Sequence, residues 1–480
     1  DRLDRQPRMG TLEQPYLSPD RLGDVVSPEN LRMKPQHREP KVTTPRLNPT
    51  WPTIGLSLPN RSRALTVDPR PLSPNQTDLS DHDRRHGFVS GPEFATKVWS
   101  PSRLGQWLSC PRKGWLSTRL DATAEEAQDD DVDVRTRGLL VHGVYADLLC
   151  ELLGMEVGEE RDEFNPPSVA LCGIPDAEMR ARLLHFVEQR APWLNRGDAV
   201  ASVRRLGLLG MNRAEFEEAS GKDSVPNLRG RFGRMLDAEL TLAKAAVLAL
   251  EWSLPRSSTE PGVLLELPEE GALEGLRLRG IIDRVELIPF DDEGSSFVQE
   301  SGSEEVCPLD LDLGEDWKPR RLVVIRDLKS LEGPRPKDGG LRHRRELLEG
   351  VQLALYARAW EVTHPGDRVI GIGIAEVGEE SALYIEADPD YELHLTSLGI
   401  GEVACNSSII HRRPGESNES PKSNTFRAWL RHRLTAALRI NEMSSEGKVI
   451  PTPSGIACTY CSVKQVCGLA PIVGGDREWS

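Results

Sequence analysis

The stretch Arg321-Leu-Val-Val-Ile-Arg-Asp-Leu-Lys-Ser330 constrains this chain more than any other. Its β-branched, apolar start predicts a buried strand. Its end carries Asp327 and Lys329 two positions apart, and residues two apart on a strand point to the same face. A carboxylate and an ammonium thus reach the end of a core strand side by side. Alone, a D-x-K of this kind describes a surface ion pair as well as a reactive site. The rest of the chain has to decide.

Length permits one large domain or two to three ordinary ones in 480 residues. The net charge of −15 argues against a uniformly basic nucleic-acid binder, although a local basic groove is compatible with an acidic sum. No run of about 18 apolar residues occurs, so no membrane span is expected, and no secretory signal is recognisable. An intracellular protein is expected. The first residue is Asp1 rather than Met, so a fragment or a processed product is expected.

Residues 1–96 are polar and rich in Pro and Arg, and read as a linker or as an extension that orders on a partner. Ordered structure is predicted over 97–480. A short capped helix is expected over 100–110, with Leu104, Trp107 and Leu108 on one face, followed by Cys110-Pro-Arg-Lys-Gly-Trp115 and an acidic loop at 124–133. A helix over 135–153 carries His142. Residues 176–252 read as a helical insertion with a break near 221–226. Strands are predicted at 263–267, 276–287, 321–330 and 369–375, helices at 344–361 and 425–441, and an acidic insertion at 291–318. Strands separated by helices make an α/β or α+β core.

Asp283 closes the apolar part of its strand as Asp327 closes the other. The two acids meet if the strands pair as a hairpin around the 291–318 insertion. Two carboxylates are hard ligands suited to Mg²⁺ or Mn²⁺. A lysine beside them can polarise water or stabilise charge on a phosphate, which is the equipment of metal-assisted phosphodiester hydrolysis. His142 could add a ligand, though a lone helical histidine is more commonly a packing residue. Gln352 and Tyr356, at i and i+4, share a helix face and could support Lys329 or simply pack. Arg342, His343, Arg344, Arg345, Arg427, Arg431, Arg433 and Arg439 are candidates for a nucleic-acid path, against the plainer reading of a solvated face. Cys110, Cys458, Cys461 and Cys467 are spaced for a metal rather than for disulfides, and chemistry alone leaves Zn²⁺ and iron–sulfur open. Cys150, Cys172, Cys307 and Cys405 show no such spacing.

Four motifs in order, Gly138-Leu-Leu-Val-His142, Gly280-Ile-Ile-Asp283, Asp327-Leu-Lys329 and Gln352-Leu-Ala-Leu-Tyr356, resemble the RecB-like branch of the PD-(D/E)XK nucleases. The resemblance covers residues 98–470. It implies a restriction-endonuclease-like core with a central mixed sheet flanked by helices. It implies His142, Asp283 and Asp327 as metal ligands, Lys329 as a catalytic residue, and Gln352 and Tyr356 in support. Glu266 is the looser match to a further acidic position. Cys110-Pro with Cys458-x-x-Cys461-x₅-Cys467 is similar to the iron–sulfur staple of AddAB-type helicase–nucleases, which implies a [4Fe–4S] cluster joining the N- and C-terminal parts near 450–470. The implied activity is Mg²⁺- or Mn²⁺-dependent cleavage of DNA, as an exonuclease on single-stranded ends in repair or recombination, with a helicase subunit or domain as partner. No G-x-x-x-x-G-K-[ST] occurs, so the motor would lie elsewhere. The contrasting readings are a non-catalytic DNA-binding module and a zinc-stapled scaffold.

Overall fold

The computed structural model describes residues 98–463 apart from 120–133, 162–167, 221–225, 243, 258, 268–272, 292–295, 310–316, 331–343, 379–380, 408–424, 450–457 and 459–460. The 1–96 extension, the 124–133 loop, Arg342, His343 and Cys467 lie outside the described residues. Helices α1 (Pro101–Ser109), α2 (Pro111–Arg119), α3 (Val134–Leu153), α4 (Asp176–Arg190), α5 (Ala199–Leu209), α6 (Arg213–Ala219) and α7 (Arg231–Leu240) precede strands β1 (Ala246–Leu254), β2 (Val263–Leu265), β3 (Leu276–Leu278), β4 (Gly280–Ile288) and β5 (Arg321–Ser330). Then follow α8 (Arg344–Glu349), α9 (Gln352–Thr363), β6 (Asp367–Val377), β7 (Ala382–Ala387), α10 (Glu392–Leu398), β8 (Glu402–Ala404) and α11 (Thr425–Ser445). No described helix is long and apolar enough to cross a membrane.

The chain divides into two compact units. The described residues of one fall within Ser102–Glu126 and Arg439–Ser480. There Trp107 and Trp115 are fully buried, and Gly114 has no room for a side chain because the Trp107 indole lies against it. The other unit holds Val98–Pro101 and Ala127–Leu438, including all eight described strands. Its mixed six-stranded sheet runs β1-β4-β5-β6-β7-β8. β4 pairs antiparallel with β1 and β5, and β5 pairs parallel with β6. A parallel pair needs a crossover, which α8 and α9 supply.

Apolar periodicity explains α3. Val141, Val144, Tyr145, Leu148, Leu149 and Leu152 follow the i, i+3, i+4, i+7 rule and are buried against α4, α5 and α7. Leu139 points away from that face and is exposed. The expected helical insertion over 176–252 holds only to Leu240, because 246–254 is a strand. Ala-Val-Leu-Ala-Leu has high helix propensity, and a short apolar run gives no periodicity to separate helix from buried strand. Pairing with β4 decides it. The single strand expected over 276–287 divides at Arg279, whose N–H instead donates to the Trp99 carbonyl at 2.7 Å. The helix expected over 344–361 is interrupted at Gly350-Val351, which makes Gln352 the first residue of α9.

Candidate active site

β4 and β5 set the two acids. Their register reaches Arg284 opposite Arg326, so Asp283 and Asp327 are the next residues on each strand as the hairpin opens. The Asp283 carboxylate accepts the Leu328 N–H at 2.9 Å, tying it to the strand that carries Asp327. Asp327 is buried; its Oδ1 accepts from Gln352 Nε2 at 3.0 Å, and Lys329 Nζ stands 2.8 Å from its Oδ2. The break before Gln352 has a local consequence, since it lets the first side chain of α9 meet the end of β5. Tyr356, one turn on, is also buried, and a Cβ on Gly280 would lie 2.5 Å from its hydroxyl. Gly280 is therefore required by the close approach of α9 to β4.

His142 reaches the same place from α3. Its Nδ1 is 3.7 Å from Asp283 Oδ2 and 3.8 Å from Glu251 Oε1. His142, Glu251 and Asp283 offer ligand atoms that all lie within 4.8 Å of one another. Glu251 lies on β1 between the pairs Leu250–Arg284 and Trp252–Ile282, and so across from Asp283. Its φ of 47° makes it the one non-glycine residue with positive φ among the described residues. An L-residue held there stores backbone strain, of order 1–3 kcal/mol. A recess of about 310 Å³, counting its open mouth, is lined by Glu251, Asp283, Tyr145, Arg284, Arg326 and Leu328 among others.

The electrostatics are set by burial and by mutual repulsion of the carboxylates. Burial, then the charge of Asp327, pushes Asp283 up to about 7 against the pull of His142 and the Leu328 N–H. For His142, burial lowers the pKa, but Glu251, Asp283 and Asp327 outweigh it and raise it. Burial and the Asp283 charge raise Tyr356, keeping its phenol protonated. Asp327 Oδ2 is buried and, although it faces the Lys329 ammonium, accepts no well-directed hydrogen bond. Clustered hard oxygens, one imidazole and an unbonded buried carboxylate oxygen fit a divalent cation.

Glu251 is the residue that sequence reasoning missed. The signal was an acid inside an apolar run, legible only once 246–254 is read as a strand. Glu266, chosen instead, lies past the end of β2 and is exposed. The expected arginine path also changes. Arg427 is fully buried, paired with Glu361 at 2.6 Å and donating to the Pro308 carbonyl at 2.7 Å. It cannot meet a nucleic acid. Arg431 and Arg433 are half-buried, Arg439 is exposed, and Arg344 and Arg345 open α8.

Among the cysteines, Cys110 joins α1 to α2 and is half-buried; Cys458 and Cys461 are half-buried, with the Cys461 N–H directed at the Cys458 carbonyl at 3.3 Å. All three fall in the smaller compact unit.

The sequence model of the PD-(D/E)XK nuclease superfamily matches residues 98–299 and 310–468. The chain belongs to the PD-(D/E)XK nuclease superfamily. Among curated proteins none matches it. Membership implies nuclease activity with a divalent metal, and His142, Glu251 and Asp283 form a cluster that could hold one.

Proposed function

We propose that this PD-(D/E)XK protein is a Mg²⁺- or Mn²⁺-dependent deoxyribonuclease of the RecB-like branch. The observation that carries the reading is the convergence of His142, Glu251 and Asp283 within 4.8 Å, beside the buried Asp327 carboxylate that Lys329 faces at 2.8 Å. His142, Glu251, Asp283 and Asp327 would hold the ion. When bound, it supplies a more acidic water and a clamp on phosphate oxygens. Lys329, 2.8 Å from Asp327, places an ammonium where negative charge grows on the phosphate. Gln352 orients the Asp327 carboxylate, and Tyr356 holds α9 against the start of β4. The acid–acid–lysine set favours hydrolysis over a purely DNA-binding role, because binding alone has no use for buried, mutually repelling carboxylates.

The finer reading is exonucleolytic cutting of single-stranded ends during DNA repair or recombination, inside the cell, with a helicase subunit or domain supplying the motor. Residues 97–480 make up the nuclease domain on this reading, with 1–96 as its extension. Cys110, Cys458, Cys461 and Cys467 hold a [4Fe–4S] cluster. The Cys-x-x-Cys and x₅-Cys spacing supports it, as does the shared compact unit of Cys110, Cys458 and Cys461. The ligands come from both ends of the domain, so metal binding becomes folding free energy. The test is to incubate anaerobically purified protein with end-labelled single- and double-stranded DNA, with Mg²⁺, Mn²⁺ or EDTA, and to measure bound iron and zinc. Metal-dependent release of nucleotides from single-stranded ends by a brown, iron-loaded protein is expected. No cutting under any metal would overturn the nuclease reading, whereas colourless protein with one Zn²⁺ would overturn only the cluster.

A further inference from the structure

Behind the metal ligands runs a chain of buried charges that the hydrolytic reading does not use. Tyr145 on α3 donates its hydroxyl to Glu239 on α7. Arg284 Nη1 is 2.6 Å from that hydroxyl and 2.5 Å from Glu239. Arg284 Nε lies 2.9 Å from Glu286, and Glu286 takes a two-pronged grip from Arg326 at 2.8 and 2.9 Å. Arg326 ends the chain on the Ile400 carbonyl at 3.2 Å. All five side chains are buried, none more than 8% exposed.

Two features separate this chain from ordinary buried pairing. The first is where its members sit. Tyr145 is one turn past His142, Arg284 follows Asp283, and Arg326 precedes Asp327. Three of the four elements that bring a ligand, α3, β4 and β5, are gripped next to that ligand, and β1 with Glu251 is not. The second is the register. Arg284 and Arg326 are directly opposite each other across the strands, an arrangement that repels. Glu286 bridges both arginines, and Glu239 balances the remaining positive charge. The pairing of β4 with β5 is thus tied to the presence of both carboxylates. Buried ion pairs add little stability over apolar packing, and their best-attested use is to fix registry. Tyr145, Arg284 and Arg326 also line the recess that opens on Asp283 and Glu251.

We infer that the Tyr145–Glu239–Arg284–Glu286–Arg326 chain is a positioning device for the metal centre, with Glu239 as its anchor on α7. Glu239 touches no metal ligand and acts through Arg284 and Tyr145. The inference rests on the metal reading of the site.

The experiment measures Mn²⁺ binding to DNA-free protein by calorimetry, with thermal stability and steady-state cleavage alongside, for Glu239→Gln, Tyr145→Phe and Glu361→Gln. Glu361 belongs to a separate buried cluster with Arg358 and Arg427 and serves as the control for lost ion pairing. Glu239→Gln is expected to weaken Mn²⁺ binding by up to about tenfold, the low end of the scale for a direct partner of a metal ligand, because Glu239 acts one step further out. It should lower kcat more than it raises KM, and Glu239→Asp should recover part of both. Glu361→Gln should lower the Tm at unchanged Mn²⁺ affinity. Should Glu239→Gln fail to fold, Tyr145→Phe decides, with a weakening of Mn²⁺ binding smaller than that of Glu239→Gln expected. Wild-type Mn²⁺ affinity in folded Glu239→Gln, or in Tyr145→Phe where the first variant is unfolded, overturns the inference and leaves the nuclease reading intact. A wild-type protein that binds no Mn²⁺ overturns both.

Discussion

Each end of β5 gathers carboxylates, a histidine and a basic side chain, Arg321 at its start and Lys329 at its end, and the two ends do opposite things. At its start, Arg321 is fully engaged. It grips Asp367 with two bonds at 2.7 and 2.8 Å and reaches Glu160 at 2.7 Å. Trp360 donates to Asp367 at 2.8 Å, and His364 stacks on the Trp360 ring at 3.7 Å while facing Glu160 at 3.3 Å. At its end, Asp327 has a buried oxygen without a hydrogen bond, Asp283 is driven up to about 7, and Glu251 is held at positive φ. The first end spends its charges on one another. The second gathers more negative charge than Lys329 and His142 balance, which is costly in a folded protein and is retained where a cation is to bind. Pairing quality separates the structural end from the end proposed to bind metal.

The sharpest way to break this contrast is Asp327→Ala. Cleavage should fall at least about 10⁴-fold, the scale of losing a member of a catalytic unit that acts together. The metal-free protein should melt no lower than wild type, because a like-charge repulsion is removed with the carboxylate. A large drop in metal-free Tm would make Asp327 a structural residue like Arg321. Arg321→Ala should show the converse. Leaving Asp367 and Glu160 uncompensated is expected to cost about 3–5 kcal/mol of stability in denaturant titrations. Folded protein should cut at the wild-type rate.

Lys329→Ala sharpens the functional side. A loss of about 10²–10³ in kcat is expected, with Mn²⁺ affinity close to wild type, because the ammonium acts on charge that develops during the reaction. Equal loss of metal affinity would place Lys329 in the metal-holding set instead. Gln352→Ala should be milder, about 10–100-fold in activity or affinity, since it removes a partner of Asp327 rather than a ligand.

The smallest effect is acid sensitivity at the structural end. Burial works to raise Glu160, but His364 and Arg321 prevail and hold it at about 2, below its ordinary 4.5. A depressed carboxylate contributes stability that is present above its unfolded value and is lost as pH falls through the folded value. Stability measured between pH 4.5 and 2 should therefore decline less steeply in Glu160→Gln than in wild type. Identical slopes would remove Glu160 from the structural cluster.

The elements legible in the residues alone are those whose signal is local. β5 is a continuous β-branched run, α3 repeats every third and fourth residue, and Asp283, Asp327, Lys329, Gln352 and Tyr356 occupy fixed offsets within short segments. Periodicity and motif spacing act over a few residues and need no partner to be read. What only the tertiary structure decided depends on contacts between distant segments. Residues 246–254 are a strand because β4 pairs with them, not because of their composition, and Glu251 entered the site with that pairing. Arg427, with a helical arginine's usual claim to the surface, is buried because Glu361 and the Pro308 carbonyl await it there. The Arg284–Glu286–Arg326 ladder exists only in the β4–β5 register. A charge on a sequence has no sign of its destination, since burial becomes tolerable only when the fold brings a compensating partner.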